Sequence, residues 1–272
     1  MDAPPFPREL YDFVVDHFRD DFPTLRSISL VDRASANICQ SHLFRQITLR
    51  TQRTRCRPVT GTPCFKLHDI LLSSPRLATR IKELTVDNRE SCDCDTDDNL
   101  YVTFVTKDPF LPSVLDALPH ITCLRILLDS STWSSLPPKL SSSIEKTLAS
   151  GSLLNITILS LHDVPLSLFL ASNRLHRLCL LDTSIDPDIE FDVHDRCRLE
   201  NLEIIIDDPT ELLHQPSPFD LTHLRRISIS LVFSLRKHLQ CLTNLLESNA
   251  GTLEYLGLHI CRLNHFIIDS WH

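Results

Sequence analysis

The side chains best equipped for chemistry in this chain are its 10 cysteines, 13 histidines and 35 acidic residues, and their spacing decides what they can do. Cys92-Asp93-Cys94-Asp95, followed by Asp97 and Asp98, sets thiolates beside carboxylates, which prefer different metals, and no histidine stands near. A flexible acidic loop is the expected reading. His259, Cys261 and His265 offer three donors, two on one face of an extended segment, but a fourth is not evident. No metal site is expected from either group. His162-Asp163 and His194-Asp195 are adjacent pairs that cannot by themselves build a catalytic triad, and no serine or cysteine is singled out as a nucleophile.

Glycine narrows the chemistry further. The only four are Gly61, Gly151, Gly251 and Gly257. Phosphate-cradling loops need several glycines close together, because only glycine lets the backbone approach a phosphate so closely. The Gly-x-Ser-x-Gly nucleophile elbow is absent as well. No histidine precedes a glutamate, so the His-Glu-x-x-His zinc motif is missing. The expectation is a protein that is not an enzyme and takes no cofactor.

The remaining function is binding, and the totals constrain the partner. Net charge is −8, which disfavours general affinity for nucleic acid or anionic membrane. The opening Met1-Asp2-Ala3-Pro4-Pro5 lacks the basic and apolar run of a secretory signal. No uncharged apolar stretch reaches the ~20 residues of a membrane span. A cytoplasmic or nuclear location is expected, with the cysteines reduced and serving as small apolar residues.

One pattern recurs along the chain: apolar, two variable, apolar, one variable, apolar. It reads as Ile81-Leu84-Val86, Ile121-Leu124-Ile126, Ile156-Leu159-Leu161, Leu175-Leu178-Leu180, Leu199-Leu202-Ile204, Leu224-Ile227-Ile229 and Leu253-Leu256-Leu258. The last two apolar positions alternate as a half-buried strand requires. Such a strand cannot bury its own face, but stacked parallel copies share a continuous core. Helical periodicity fills the spacers Phe65–Ser73, Phe110–Leu118 and Leu235–Leu246, and prolines punctuate the units. The predicted class is therefore α/β: a leucine-rich-repeat-like solenoid of parallel strands with helical spacers over residues 51–272. The slot after each strand that usually holds Asn or Cys conforms only at Cys261, so an irregular horseshoe with uneven loops is expected.

The first fifty residues follow a different rule. Phe6, Leu10, Phe13, Val14 and Phe18 form one helical stripe, and Asp20-Asp21 before Pro23 marks a second helix start. A third helix is predicted from about Ala34 to Phe44, followed by an alternating Ile47-Thr48-Leu49. Residues 1–50 thus read as a small helical module. Its apolar stripe is compatible with docking a partner and equally with capping the open end of the solenoid.

Phe6-Pro7-Arg8-Glu9-Leu10, Thr24-Leu25, Ser29-Leu30-Val31 and His42-Leu43-Phe44-Arg45 resemble the F-box-like proteins of mushroom-forming fungi, which join an F-box of this length to an irregular leucine-rich-repeat tail. Leu71-Leu72-Ser73-Ser74-Pro75 and Leu224-Arg225-Arg226-Ile227-Ser228-Ile229 share the likeness, which covers essentially the whole chain. The resemblance implies a substrate-recruiting subunit of a cullin–RING ubiquitin ligase. Its helices would dock on a Skp-type adaptor, its repeats would hold a protein substrate, and other subunits would transfer ubiquitin. Carried over by position, Pro7, Leu10, Leu25, Leu30, Val31, Leu43 and Phe44 would form the docking face. The chain departs from the family at Arg33-Ala34-Ser35, where a tryptophan usually stands.

Seven basic residues and no acidic one lie from Arg33 to Lys66, and no aromatic is interleaved among Arg45, Arg50, Arg53, Arg55 and Arg57. A solvated loop is the expected reading, and a nucleic-acid contact the lesser one. Residues between the apolar strand positions, such as Glu83, Arg125, Arg177 and Glu203, would face a partner; their mixed chemistry indicates no substrate preference.

Overall fold

The computed structural model describes residues 8–50, 52–54, 61–89, 101–103, 105–172, 174–186, 197–206, 210–213, 219–232 and 236–261. Helices α1 (Arg8–His17), α2 (Phe22–Ile28) and α3 (Arg33–Leu43) open it. Two aspartates start two of them. Asp21 accepts the Thr24 N–H at 3.1 Å ahead of Pro23, and Asp32 accepts the Ser35 N–H at 2.8 Å. Each carboxylate satisfies a donor that a helix start leaves unpaired. Val15, Leu25 and Cys39 make a small core with Tyr11, Phe18, Ile28, Ile38 and Leu43 packed around it.

Eight strands then form one parallel sheet in chain order: β1 (Gln46–Arg50), β2 (Glu83–Asp87), β3 (Cys123–Thr132), β4 (Asn155–His162), β5 (Arg177–Leu181), β6 (Asn201–Ile205), β7 (Arg226–Val232) and β8 (Tyr255–Cys261). Parallel neighbours need a crossover, and helices supply it in most units. These are α4 (Pro63–Ser73), α5 (Leu111–Asp116), α6 (Pro138–Ala149), α7 (Ser167–Leu170), α8 (Thr210–Leu213) and α9 (Arg236–Ser248). The fold is thus α/β with a mostly parallel sheet. The first strand belongs to this sheet, so helices give way to sheet between Leu43 and Gln46.

Strand register shows which residues share a face. One core row runs Ile47, Leu84, Leu124, Ile156, Leu178, Leu202, Ile227 and Leu256. The next runs Leu49, Val86, Ile126, Ile158, Leu180, Ile204, Ile229 and Leu258. From Leu84 to Ile227 the first row is at most 2% exposed. Leu71, Leu115, Ile144, Phe169, Leu213 and Leu245 from the crossovers belong to the same core. Fully burying each such side chain contributes roughly 1.5–3 kcal/mol.

A backbone signature repeats with the rows. The carbonyls of Arg45, Lys82, Thr122, Leu154, His176, Glu200 and Arg225 each accept two consecutive N–H groups from the next unit, at 2.8–3.1 Å. This places the third unit at Leu153-Ile156-Ile158, all 0% exposed, and corrects the expected frame Ile156-Leu159-Leu161 by three residues. Leu159 instead stands on the opposite face of the sheet. The sequence misleads here because Leu153, Ile156, Ile158, Leu159 and Leu161 satisfy the spacing in both frames, as Leu153-Ile156-Ile158 and as Ile156-Leu159-Leu161. The signature also makes Phe44-Ile47-Leu49 the first unit, ahead of the seven read from the sequence.

Two more expectations change. Helix α6 has no counterpart among the predicted spacers: Ser141, Ser142 and Ser143 interrupt its apolar appearance, yet Leu140, Ile144 and Leu148 give it a buried stripe. In the slot after β5, Thr183 stands where Asn or Cys is usual. Its hydroxyl donates to the Leu181 carbonyl at 2.9 Å, satisfying a backbone acceptor at the end of the strand. Ser130, Ser160 and Asp182 occupy the left-handed region (φ 48°, 51° and 47°) at the ends of three successive strands. The Ser160 hydroxyl donates to Asp182 at 2.8 Å, a local bond that helps hold a conformation costing roughly 1–2 kcal/mol per residue.

The corrected frame sets an outcome. Leu153→Ala and Ile158→Ala are each expected to lower unfolding free energy by about 2–5 kcal/mol in urea titration. A loss under about 1 kcal/mol at both positions would return the unit to the Ile156-Leu159-Leu161 frame.

Candidate protein-interaction surfaces

Helix α1 carries two apolar faces where the sequence pattern indicates one stripe. Tyr11, Val15 and Phe18 turn inward to the small core. Leu10, Phe13 and Val14 turn outward and are 54%, 74% and 50% exposed. Val15 is therefore the anchor, and Phe18 shares its side rather than that of Leu10. The Tyr11 hydroxyl hydrogen-bonds the buried Ser35 hydroxyl, tying α1 to α3.

The residues expected to dock a partner separate accordingly. Pro7 lies outside the described residues. Leu10, Leu30 and Val31 are exposed, the last two at 87% and 72%. Leu25 is completely enclosed, so its role is to hold the three helices together, and a partner cannot reach it in the folded module. Leu43 is half-buried against the same core. Phe44 is half-buried at the C-terminal end of α3, in the lead-in position of the first strand unit. Phe13, Val14 and Phe22 are exposed apolar residues of the same helices that the family likeness leaves out of the docking face. The i, i+3, i+4 spacing of Leu10, Phe13 and Val14 is the sequence signal that groups two of them with Leu10.

Arg80, in the turn ahead of β2, ties the module to the rest of the chain. Arg80 donates to the Asn37 carbonyl at 2.9 Å, to Gln40 Oε1 at 3.1 Å and to Asn37 Oδ1 at 3.2 Å. An open groove lined by Asp12, Phe13, Asp16, Asn37, His42 and Arg80 runs beside this junction.

The face of the sheet away from the core is polar at its N-terminal strands. Glu83 stands between Arg45 (3.8 Å) and Arg125 (3.6 Å), and Asp87 pairs with Arg50 (3.7 Å) and Arg89 (3.0 Å). Arg177 meets Glu203 at 3.3 Å further along. The pairs of Glu83 and Glu203, open to solvent, contribute at most about 1 kcal/mol each; Asp87 itself is buried. Arg45 and Arg50 of the basic tract are thus engaged with carboxylates, which favours the structural reading of that part of the tract; Arg55 and Arg57 lie outside the described residues. On the same face Leu127, Leu159, Leu181 and Ile205 line up on adjacent strands.

Among the described residues no group of three His, Cys, Asp or Glu side chains could hold a metal. The Cys92–Asp98 segment and His265 lie outside them. No described helix is long and apolar enough to cross a membrane. Six free cysteines are buried: Cys39, Cys64, Cys123, Cys179, Cys197 and Cys241. Burial pushes the Cys179 thiol up to about 12, helped by the neighbouring Glu203 charge. Burial likewise raises Cys197 to about 11. Such thiols are poor nucleophiles. Comparisons of the chain with models of protein families, with curated proteins and with solved structures find no match.

Two outcomes follow. In the folded protein at pH 8, no more than four of the ten thiols are expected to react rapidly with an aromatic disulfide, rising to all ten in denaturant. Fast reaction of five or more would refute the buried assignment. The Thr24 hydroxyl and backbone hold the Asp21 carboxyl below its usual range, and the Ser35 backbone and hydroxyl do the same for Asp32. Their stabilising contribution is therefore full above the ordinary carboxylate pKa and is lost as pH falls through the depressed folded values. Asp21→Asn/Asp32→Asn keeps the caps and should flatten the acid loss of helical circular dichroism relative to the wild type. Superimposable acid profiles would count against the caps.

Proposed function

We propose that the chain is a non-catalytic protein-binding adaptor, the substrate-recruiting subunit of a cullin–RING ubiquitin ligase. In this reading residues 8–43 are an F-box-like module that docks on a Skp-type adaptor. The parallel sheet is an irregular leucine-rich-repeat solenoid whose outer face holds a protein substrate. The observation that carries it is the set of large apolar side chains left in solvent on so small a module: Leu10, Phe13, Val14, Phe22, Leu30 and Val31, each 47–87% exposed. So many exposed large apolar side chains on a small module favour interaction over packing. Were the helices only a cap, these residues would be expected to lie against the sheet.

The sheet supports the second half of the reading. Its strands stack in chain order with two continuous apolar rows, the arrangement a repeat array needs. Substrate contacts then fall to the outward positions, where Arg125, Arg177 and Glu203 offer charge and Leu127, Leu181 and Ile205 offer apolar surface. A second reading, an interaction scaffold whose helices only cap the solenoid, draws on the Arg80 contacts to α3.

Leu30→Asp/Val31→Asp alters exposed residues only and should leave the fold unchanged by circular dichroism. Co-purification with the Skp-type adaptor is expected for the wild type, and recovery should fall about tenfold or more in this variant, as the loss of an apolar hot spot implies. Equal recovery of adaptor with both proteins would remove the docking role from this surface, and no recovery with a folded wild type would favour the scaffold.

A further inference from the structure

The ion pairs on the outer face of the sheet are layered by depth. The side chains of Glu83, Asp87 and Glu203 are 10–29% exposed, whereas their partners Arg45, Arg50, Arg89, Arg125 and Arg177 are 41–75% exposed. The carboxylates thus lie beneath and the guanidiniums on top. Arg226 is exposed as well, set over the Tyr255 ring at 5.6 Å and without a carboxylate partner among the described residues. A partner approaching this face meets guanidinium first, although the chain as a whole carries a net charge of −8. A guanidinium has five N–H donors, so the buried-side carboxylates orient these arginines and still leave donors for an incoming anion.

Strand register spaces the arginines. Arg125, Arg177 and Arg226 stand on β3, β5 and β7, one on every second strand, which sets them about 9.6 Å apart across the sheet. The strands between them place the neutral Asn155 and Thr157 of β4 and Asn201 of β6 in the gaps. Further along the same strands and on the same face, Leu127, Leu159, Leu181 and Ile205 form an unbroken aliphatic row from β3 to β6. The exposed Asp129 and Asp182 lie past that row, at the strand ends, so the aliphatic row separates them from the arginines.

We infer that this face holds an extended acidic segment of a protein partner, laid across the strands. Its carboxylates lie toward Arg125, Arg177 and Arg226, and its aliphatic side chains toward Leu127, Leu181 and Ile205. The inference rests on the reading of the outer face as the substrate face and names the class of substrate. Alternate residues of an extended chain point to opposite sides, so a segment lying between the arginines and the aliphatic row must alternate acidic with aliphatic residues. Arginine suits this task, since its planar fork matches a carboxylate with two parallel hydrogen bonds. A basic segment would meet the outermost guanidiniums before it reached a carboxylate. A nucleic acid would satisfy the arginines, but it would leave the aliphatic row uncovered and is repelled by the chain's net charge.

The test is fluorescence anisotropy of the intact chain with labelled octapeptides alternating Glu, Gln or Lys with Leu. Extended, each is about 26 Å long and spans the roughly 19 Å from β3 to β7. The Glu peptide is expected to bind at about 10–100 μM, roughly tenfold tighter than the Gln peptide, with the Lys peptide weaker still. Arg226→Glu changes an exposed side chain and should weaken the Glu peptide about tenfold while sparing the Gln peptide. Arg125→Gln should act in the same direction, and it decides alone should the first variant fail to fold. Equal affinity for the Glu and Gln peptides overturns the acidic class but keeps the outer face as a binding surface. Binding of no peptide up to about 1 mM, or Glu-peptide binding indifferent to both arginine changes, overturns the inference, as does a single-stranded oligonucleotide that binds more tightly than the Glu peptide. None of these outcomes touches adaptor docking, which co-purification reads separately.

Discussion

Seven carbonyls, at Arg45, Lys82, Thr122, Leu154, His176, Glu200 and Arg225, each receive two N–H groups from the unit that follows. This forked bond recurs at the same point of every unit, just ahead of the strand, and it fixes the register of each strand on its neighbour. Register in turn decides which alternate residues enter the core, since a slip of one residue would exchange the two faces. The two apolar rows, the crossovers packed on them and the polar outer face all depend on that alignment.

The consequence is a division of labour along the chain. The rows from Leu84 to Ile229 are enclosed, so the middle of the sheet is stable by burial and its outer face is free to vary. Among the described residues the end strands lack a sheet neighbour on one side. At the first end the helical module stands beside β1, joined through Arg80 and built around its own small core. It keeps Val15, Leu25 and Cys39 inside and sets Phe13, Leu30 and Val31 in water. At the last end Leu256 and Leu258 are uncovered. Both ends therefore present apolar surface.

Much of this is legible in the sequence, and the failures have physical causes. The α/β class and the positions of most strands follow from the apolar pattern because strand alternation and helical periodicity differ clearly. The start of α2 is visible because Asp21 is a cap residue ahead of Pro23, and α3 begins at Arg33, one residue before the Ala34 read from the sequence, where Asp32 caps it. The frame at Leu153 is ambiguous because five aliphatics between Leu153 and Leu161 satisfy the spacing twice, and only hydrogen bonding to β3 and β5 distinguishes the frames. Helix α6 is hidden by its serines, one of which, Ser143, is buried against the core. The face of α1 cannot be read from apolar residues alone, since both sides carry them; which side is inward depends on the contact of Tyr11 with Ser35 on α3. Leu25 is expected on the docking face because the resemblance aligns it there, whereas its burial makes it the centre of the module.

The central claim is that the exposed apolar residues of α1 and of the turn between α2 and α3 form a docking surface for a Skp-type adaptor. Hydrogen exchange of the intact chain, with and without saturating purified adaptor, tests it most directly. The account expects slowed exchange confined to peptides from α1 through the Leu30-Val31 turn, with the sheet strands β2 to β7 unchanged. Exchange in these helices that is identical with and without the adaptor, or protection appearing only on the sheet, would contradict it.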